Sequence, residues 1–236
     1  MERVLNQLLD KLKKAYGDHL VSVVLYGSAA VGDQDRRFSD INVLCVLDRV
    51  TPDELAHSDV VFRWWHKMEN PAPLLMSEEE VAASADCFPI EFHDIQTQHR
   101  LLYGKDVITG LRIDDRHYRA EVEHELRSKL LRLRQKASAT LVQNDLLLQL
   151  MAESVSTFCV LFRHALRLNG IDAKMVKREV IEQAREAWGL RTEAFETLLD
   201  LREGRVRTRR PEAVPLLASY LKEISVAIDA VDRLGK

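Results

Sequence analysis

Cysteine is scarce in this chain: 236 residues hold three, Cys45, Cys87 and Cys159. They stand far apart and mostly among apolar neighbours. That spacing excludes a disulfide framework and a cysteine-rich zinc site, and it reads as small buried hydrophobes in a reducing compartment. An excess of charge of either sign is also lacking. Thirty-four basic residues face 37 acidic ones, for a net charge of −3, so no global field draws the chain to nucleic acid. No uninterrupted apolar run is long enough to span a bilayer, and no apolar signal segment follows Met1. Internal repeats and low-complexity tracts are missing too. These absences lead to the expectation of a cytoplasmic protein without a membrane partner, long enough for one large domain or two small ones.

What is present centres on residues 21–47. Val21, Val23, Val24 and Leu25 form a largely β-branched run that predicts a strand. Gly27 and Ser28 break it, and Ala29 and Ala30 can start a helix. A polar segment over 33–39 follows, then Asp40, then a second apolar strand over 41–47. A Gly-Ser turn after a strand lets backbone amides and a hydroxyl approach a phosphate closely. An Asp at the edge of the next strand can hold a hard divalent cation beside that phosphate.

Around this stretch the pattern is regular as far as residue 87. Val4, Leu5, Leu8, Leu9 and Leu12 recur at helical spacing up to Gly17. Thr51-Pro52-Asp53-Glu54 reads as a capping box with Pro at the first helical position, and Ser77 to Glu80 repeats the box. The helix after Thr51 carries Phe62, Trp64 and Trp65, which read as core, and a short strand is expected over 74–76.

The second informative stretch is FPIEFHD, residues 88–94. Read as a strand, it places Glu91 and His93 on one face and Phe92 and Asp94 on the other. A carboxylate inside an apolar strand needs a partner, because burying it alone is costly. Glu91 is the better placed of the two acids and Asp94 the alternative, or only a cap for a helix expected over 95–103. Beyond residue 114 strand signals stop. Helices are expected over 118–141, 145–169, 174–188, a short one from Thr192, and a last one over 211–234, joined as an antiparallel bundle. The expected domains are 1–112 and 113–236.

These residues resemble the signature of the polymerase β-like nucleotidyltransferase superfamily: strand, Gly-Ser, loop, then Asp-hydrophobic-Asp/Glu on the next strand. Gly27, Ser28 and Asp40 match, whereas Asn42 stands where the family pattern has its second acid. A strand-rich half followed by helices also looks like the aminoglycoside nucleotidyltransferases and the minimal nucleotidyltransferases with helical partners. The resemblance implies an α+β fold, with a small mixed sheet followed by an all-α bundle. It implies transfer of a nucleoside monophosphate from ATP or another nucleoside triphosphate to a hydroxyl on a small molecule or protein, with Mg2+. Gly27, Ser28 and Ser39 would hold the nucleotide, Asp40, Asn42 and Glu91 the metal, and Asp40 and Glu91 would carry catalysis. Asn42 keeps one alternative open, a degenerate nucleotide-binding or partner-binding protein of the same fold, and a ribonuclease or toxin–antitoxin component is a separate minor alternative. Arg119 and His124 have a spacing that resembles the HEPN ribonucleases. The basic loop over 202–210 reads as solvated, with contact to phosphate or RNA as the alternative, and Lys129, Arg132 and Lys136 share a face of the first bundle helix that could border the cleft. A homodimer is a further expectation from the resemblance.

Overall fold

The computed structural model describes residues 1–31, 41–205 and 211–235, which fall into two compact units, Met1–Asp115 and Arg116–Lys236. Helix α1 (Glu2–Tyr16) buries Leu5, Leu8, Leu12 and Tyr16 along one stripe and stops at Gly17. Strand β1 (Leu20–Tyr26) pairs antiparallel with both β2 (Asn42–Leu47) and β4 (His99–Gly104), and β2 pairs parallel with β3 (Leu74–Ser77). The result is a mixed sheet of order β3-β2-β1-β4. Its two central strands are apolar on both faces, as burial on both sides requires.

One face packs on α1 and on α2 (Pro52–His66), with Val23, Leu25, Cys45 and Leu47 meeting Leu5, Leu8, Val61 and Trp65. The other face carries Val24, Leu44 and Val46. These residues meet Val81 of α3 (Glu78–Ala83) and Phe92 and Ile95 of α4 (Pro89–Thr97). Both expected capping boxes form. The backbone N–H of Thr51 donates to Glu54 at 3.1 Å, and that of Ser77 to Glu80 at 2.7 Å. The Thr51 hydroxyl also donates to Glu54, which holds that carboxyl below the usual range.

The structure reverses the expected order over 88–104. Residues 88–94 are not a strand; they open helix α4, and the segment expected to finish as a helix is strand β4. The physical reason is Pro89, which has no N–H for a ladder but fits the first helical position, where that donor would be unused. Phe92 and Ile95 then fall three apart, on the helix face toward the sheet. The residues from His99 to Gly104 instead pair with β1, with a register shift opposite Val23 and Val24 that lets consecutive Leu102 and Tyr103 both pack toward α1, and Arg100 reaches Glu2 on that same side at 3.0 Å. Cys87 is also corrected. It is exposed, whereas Cys45 and Cys159 are buried as expected, and burial pushes both of their thiols up to about 12.

The second unit is helical: α5 (Tyr118–Ser138), α6 (Asn144–Leu168), α7 (Lys177–Trp188), α8 (Glu193–Arg202) and α9 (Ala213–Arg233). Helix α6 is its axis, in contact with each of the others. Phe162, Phe195 and Tyr220 stack through its core with centroids 5.1 and 4.9 Å apart. The Tyr118 hydroxyl and His164 Nδ1 meet at 2.6 Å inside it. Buried Glu223 accepts the Arg191 N–H at 2.9 Å and so ties α9 to the α7–α8 connection. By length and composition α6 could cross a membrane, with a mean hydropathy of 1.5 over its most apolar window, contrary to the expectation from uninterrupted runs. Glu153 and several other polar residues divide its apolar positions, and its buried residues are the bundle core.

Candidate functional site

The candidate site lies where β1 ends and β2 begins, beside the Gly-Ser turn. Gly27 has φ of +75°, a conformation that glycine adopts without strain. Its N–H donates to the Gln98 carbonyl at 3.0 Å, and its own carbonyl accepts from Ala30 at 2.9 Å. A short 3-10 turn, Ser28–Val31, follows. A Cβ on Gly27 would lie 3.4 Å from the Asn42 side-chain nitrogen, so that amide sits against the turn. Ser39 and Asp40 lie outside the described residues.

Strand register adds what the sequence reading missed. Tyr26 is paired with Asn42 on β2 and with His99 on β4. Directly opposed residues share a sheet face, so Asn42, Tyr26 and His99 form one polar row across three strands. The row lies on the α4 side, since Tyr26 packs with Val24, Leu44 and Phe92. It therefore closes one end of an otherwise apolar sheet–helix interface.

Glu91 and Asp94 come from α4 and not from a strand. Three residues apart, they lie on one flank of the helix, where Glu91 is exposed and Asp94 half-buried. Both act on Tyr26. Burial pushes the Tyr26 phenol up, and the Glu91 and Asp94 carboxylates, in that order, push it further the same way. The structure thus brings together Gly27, Asn42 and Tyr26, with both candidate acids on the helix that covers that face of the sheet. His93, expected beside Glu91, is turned away from it and buried, with Nε2 on Asp115 at 2.5 Å. The signal that could have found this arrangement was Pro89, which fits a first helical turn and not a strand.

The other candidate groups lie elsewhere. Arg119 bonds Glu123 at 2.6 Å and lies over Gly235. His124 is exposed, and its ligand atoms lie within 4.8 Å of those of Glu121 and Glu125, but Glu125 also pairs with Lys129 at 3.0 Å. Arg202 donates to the Ala152 carbonyl and Arg205 pairs with Glu203, while residues 206–210 lie outside the described residues.

A mixed four-stranded sheet thus carries a glycine turn at the end of β1, with α1 and α2 on one face and α3 and α4 on the other. Residues 5–136, more than half of the chain, match the family model described as "Nucleotidyltransferase domain", and the chain belongs to that family. Among solved structures, it is similar to the spectinomycin adenyltransferase AAD(9) from Enterococcus faecialis, crystallised with ATP and spectinomycin. The two are 12% identical with a TM-score of 0.60, over 96% of this chain and 99% of that one, and they share the fold. Two toxin–antitoxin structures, one of them with AMP-PNP, are 19% and 18% identical. They cover 42% and 43% of this chain and 73% and 74% of theirs, with TM-scores of 0.30, a likeness too slight to argue from. No curated protein matches the sequence.

Proposed function

We propose that this protein binds ATP with Mg2+ at the Gly27 turn and transfers its nucleoside monophosphate to a hydroxyl acceptor, a small molecule or a protein side chain. The observation that carries the reading is the Asn42–Tyr26–His99 row beside Gly27, on the face of the sheet covered by α4, whose Glu91 and Asp94 carboxylates help to raise the Tyr26 phenol. Two carboxylates and an amide oxygen are a hard, all-oxygen donor set, which suits magnesium. Asp40, by family resemblance, would complete that set.

The roles follow from chemistry. The Gly27 N–H is committed to Gln98, so this residue serves by its missing Cβ, which lets phosphate come close. Ser28 and Ser39 would hold phosphate oxygens. Bound magnesium would stabilise charge on the attacking and leaving oxygens. Glu91, the more exposed acid, would take the acceptor proton as its oxygen bonds to the α-phosphorus and the bond to pyrophosphate breaks. Tyr26, kept protonated, offers a neutral donor to the acids.

A second reading, nucleotide binding without turnover, is favoured by Asn42. A neutral amide brings no charge to hold a second dication. Calorimetry of ATP binding with and without magnesium separates these readings when run on the native chain, Asp40→Ala and Glu91→Gln. Magnesium-dependent binding lost in both variants supports the site. Release of pyrophosphate with a supplied acceptor supports turnover, and its absence beside intact binding supports the second reading. A native chain that binds no nucleoside triphosphate refutes both.

A further inference from the structure

Helix α4 has nine residues, and successive side chains advance by about 100° around its axis. Phe92 and Ile95 point at the sheet and pack there. Glu91 and Asp94 lie on one flank of that apolar stripe. His93 and Gln96 lie on the opposite flank, and both are bonded to the irregular segment after β4. His93 Nε2 meets Asp115 Oδ1 at 2.5 Å. A carboxylate only accepts, so Nε2 carries the proton. The Gln96 side-chain amide donates to the carbonyls of Leu111 at 2.5 Å and Ile108 at 3.2 Å. That segment is itself fixed, because Asp106 accepts the N–H groups of Ile108 and Thr109, each at 3.0 Å.

Apolar contact is non-directional, and two buried side chains on so short a helix do not by themselves fix its rotation about its own axis. Directional bonds on one flank do. Carboxylates stand about 5–6 Å from a helix axis, so a roll of about 20° moves them by about 2 Å. That displacement equals a whole magnesium–oxygen bond of about 2.0–2.1 Å.

We infer that His93 is a positioning residue: through its bond to Asp115 it sets the roll of α4 that aims Glu91 and Asp94 at the Asn42–Tyr26–His99 row. His93 lies on the flank of α4 away from Glu91 and Asp94. The Asp115 side chain is 58% exposed, so losing its partner strands no buried charge, and the bond can be removed without unfolding the domain. The inference rests on the nucleotide reading only for the consequence, not for the geometry.

Two variants test it, His93→Leu, which fills the site without a donor, and His93→Gln, which restores one. Magnesium-dependent ATP affinity is expected to fall at least tenfold in His93→Leu, to recover within about threefold in His93→Gln, and to be unchanged when magnesium is left out. Native magnesium-dependent affinity in His93→Leu overturns the inference. Equal loss in both variants also overturns it, because packing alone then explains the effect. Should the native chain bind no ATP, the nucleotide reading fails separately, and hydrogen exchange decides the matter of His93. Faster exchange across α4 in His93→Leu, with β1 unchanged and with recovery in His93→Gln, sustains the positioning role. Native exchange rates in His93→Leu overturn it.

Discussion

Gly104→Ala isolates how tightly the edge of the sheet is built. Gly104 ends β4 opposite Ser22 with φ of +78°, and a Cβ there would lie 2.0 Å from the Val21 carbonyl oxygen and 3.0 Å from its carbon. Two costs add. The left-handed backbone costs an L residue about 1–2 kcal/mol. The overlap is with backbone and cannot be relieved by turning a side chain. The strands must part by about an ångström, which sacrifices the Lys105 N–H to Val21 carbonyl bond of 3.1 Å, worth about 1 kcal/mol, and loosens the packing around it. We expect a total of about 3–5 kcal/mol. Gly17→Ala is the control in the same unit, since Gly17 has φ of +55° but nothing within 4 Å of a new Cβ. It should lose only the conformational part, about 1–2 kcal/mol. Hydrogen exchange of the β1 and β4 amides under mild denaturant reads the first unit separately from the helical one. The loss should reach the Gly27 turn, because Gln98, just before β4, accepts the Gly27 N–H. A Gly104→Ala chain no less stable than Gly17→Ala refutes the reasoning.

Three further outcomes follow from the same structure. Of the three cysteines only Cys87 should react with a thiol reagent at pH 8, and slowly, because its bond to Asp86 raises its thiol; Cys45 and Cys159 should react only after denaturation, and fast reaction of a second thiol in the native chain contradicts their burial. Asp106 is held at about 2 by the Thr109 hydroxyl first and then by the Thr109 and Ile108 amides, so its contribution is full above the unfolded value near 3.8 and is lost as pH falls toward 2. Allowing for its exposure, Asp106→Ala should cost about 1 kcal/mol at pH 7 and progressively less as pH falls below the unfolded value and through the folded one, which acid denaturant melts would check. Asn42→Asp should destabilise the magnesium-free protein by about 1–2 kcal/mol, through repulsion from Glu91 and Asp94, and make its melting temperature rise on adding magnesium; a melting temperature insensitive to magnesium would count against these groups sharing one site.

Much of the architecture was legible because it rests on local rules. The helical spacing of Leu5, Leu8 and Leu12, the two capping boxes and the β-branched run before Gly27 each specify their element within a few residues. The bundle was equally plain from the spacing of Val122, Leu126, Leu130 and Leu133 along α5. The stretch from 88 to 104 was misread because its first half satisfies two periods at once. Ile90, Phe92 and Asp94 alternate as a strand does, while Phe92 and Ile95 keep helical spacing, and only Pro89 breaks the tie. The Asn42–Tyr26–His99 row was illegible for a different reason. It is a product of strand register, and register belongs to pairs of strands and not to either sequence alone.

That misreading changes the chemistry of the site as well as its geometry. On a strand, Glu91 would have projected from the same rigid sheet as Asn42, with its position fixed by the ladder. On α4 it belongs to a separate layer, seated by apolar contact and aimed by bonds on its far flank. Among the described residues of the site, the sheet contributes Asn42, Tyr26 and His99, none of them an acid, while both carboxylates come from the helix. Attraction for a dication falls with distance from the charge, and here the charge moves with α4. Under the proposed reading, metal affinity would therefore depend on the placement of this nine-residue helix as well as on Asp40. Restoring the acid at position 42 would return part of that control to the sheet. Asn42→Asp should accordingly make magnesium affinity less sensitive to His93→Leu than it is in the native chain, and a double-mutant cycle with calorimetry measures that coupling directly. Strict additivity of the two substitutions would show that the sheet and the helix do not share a metal.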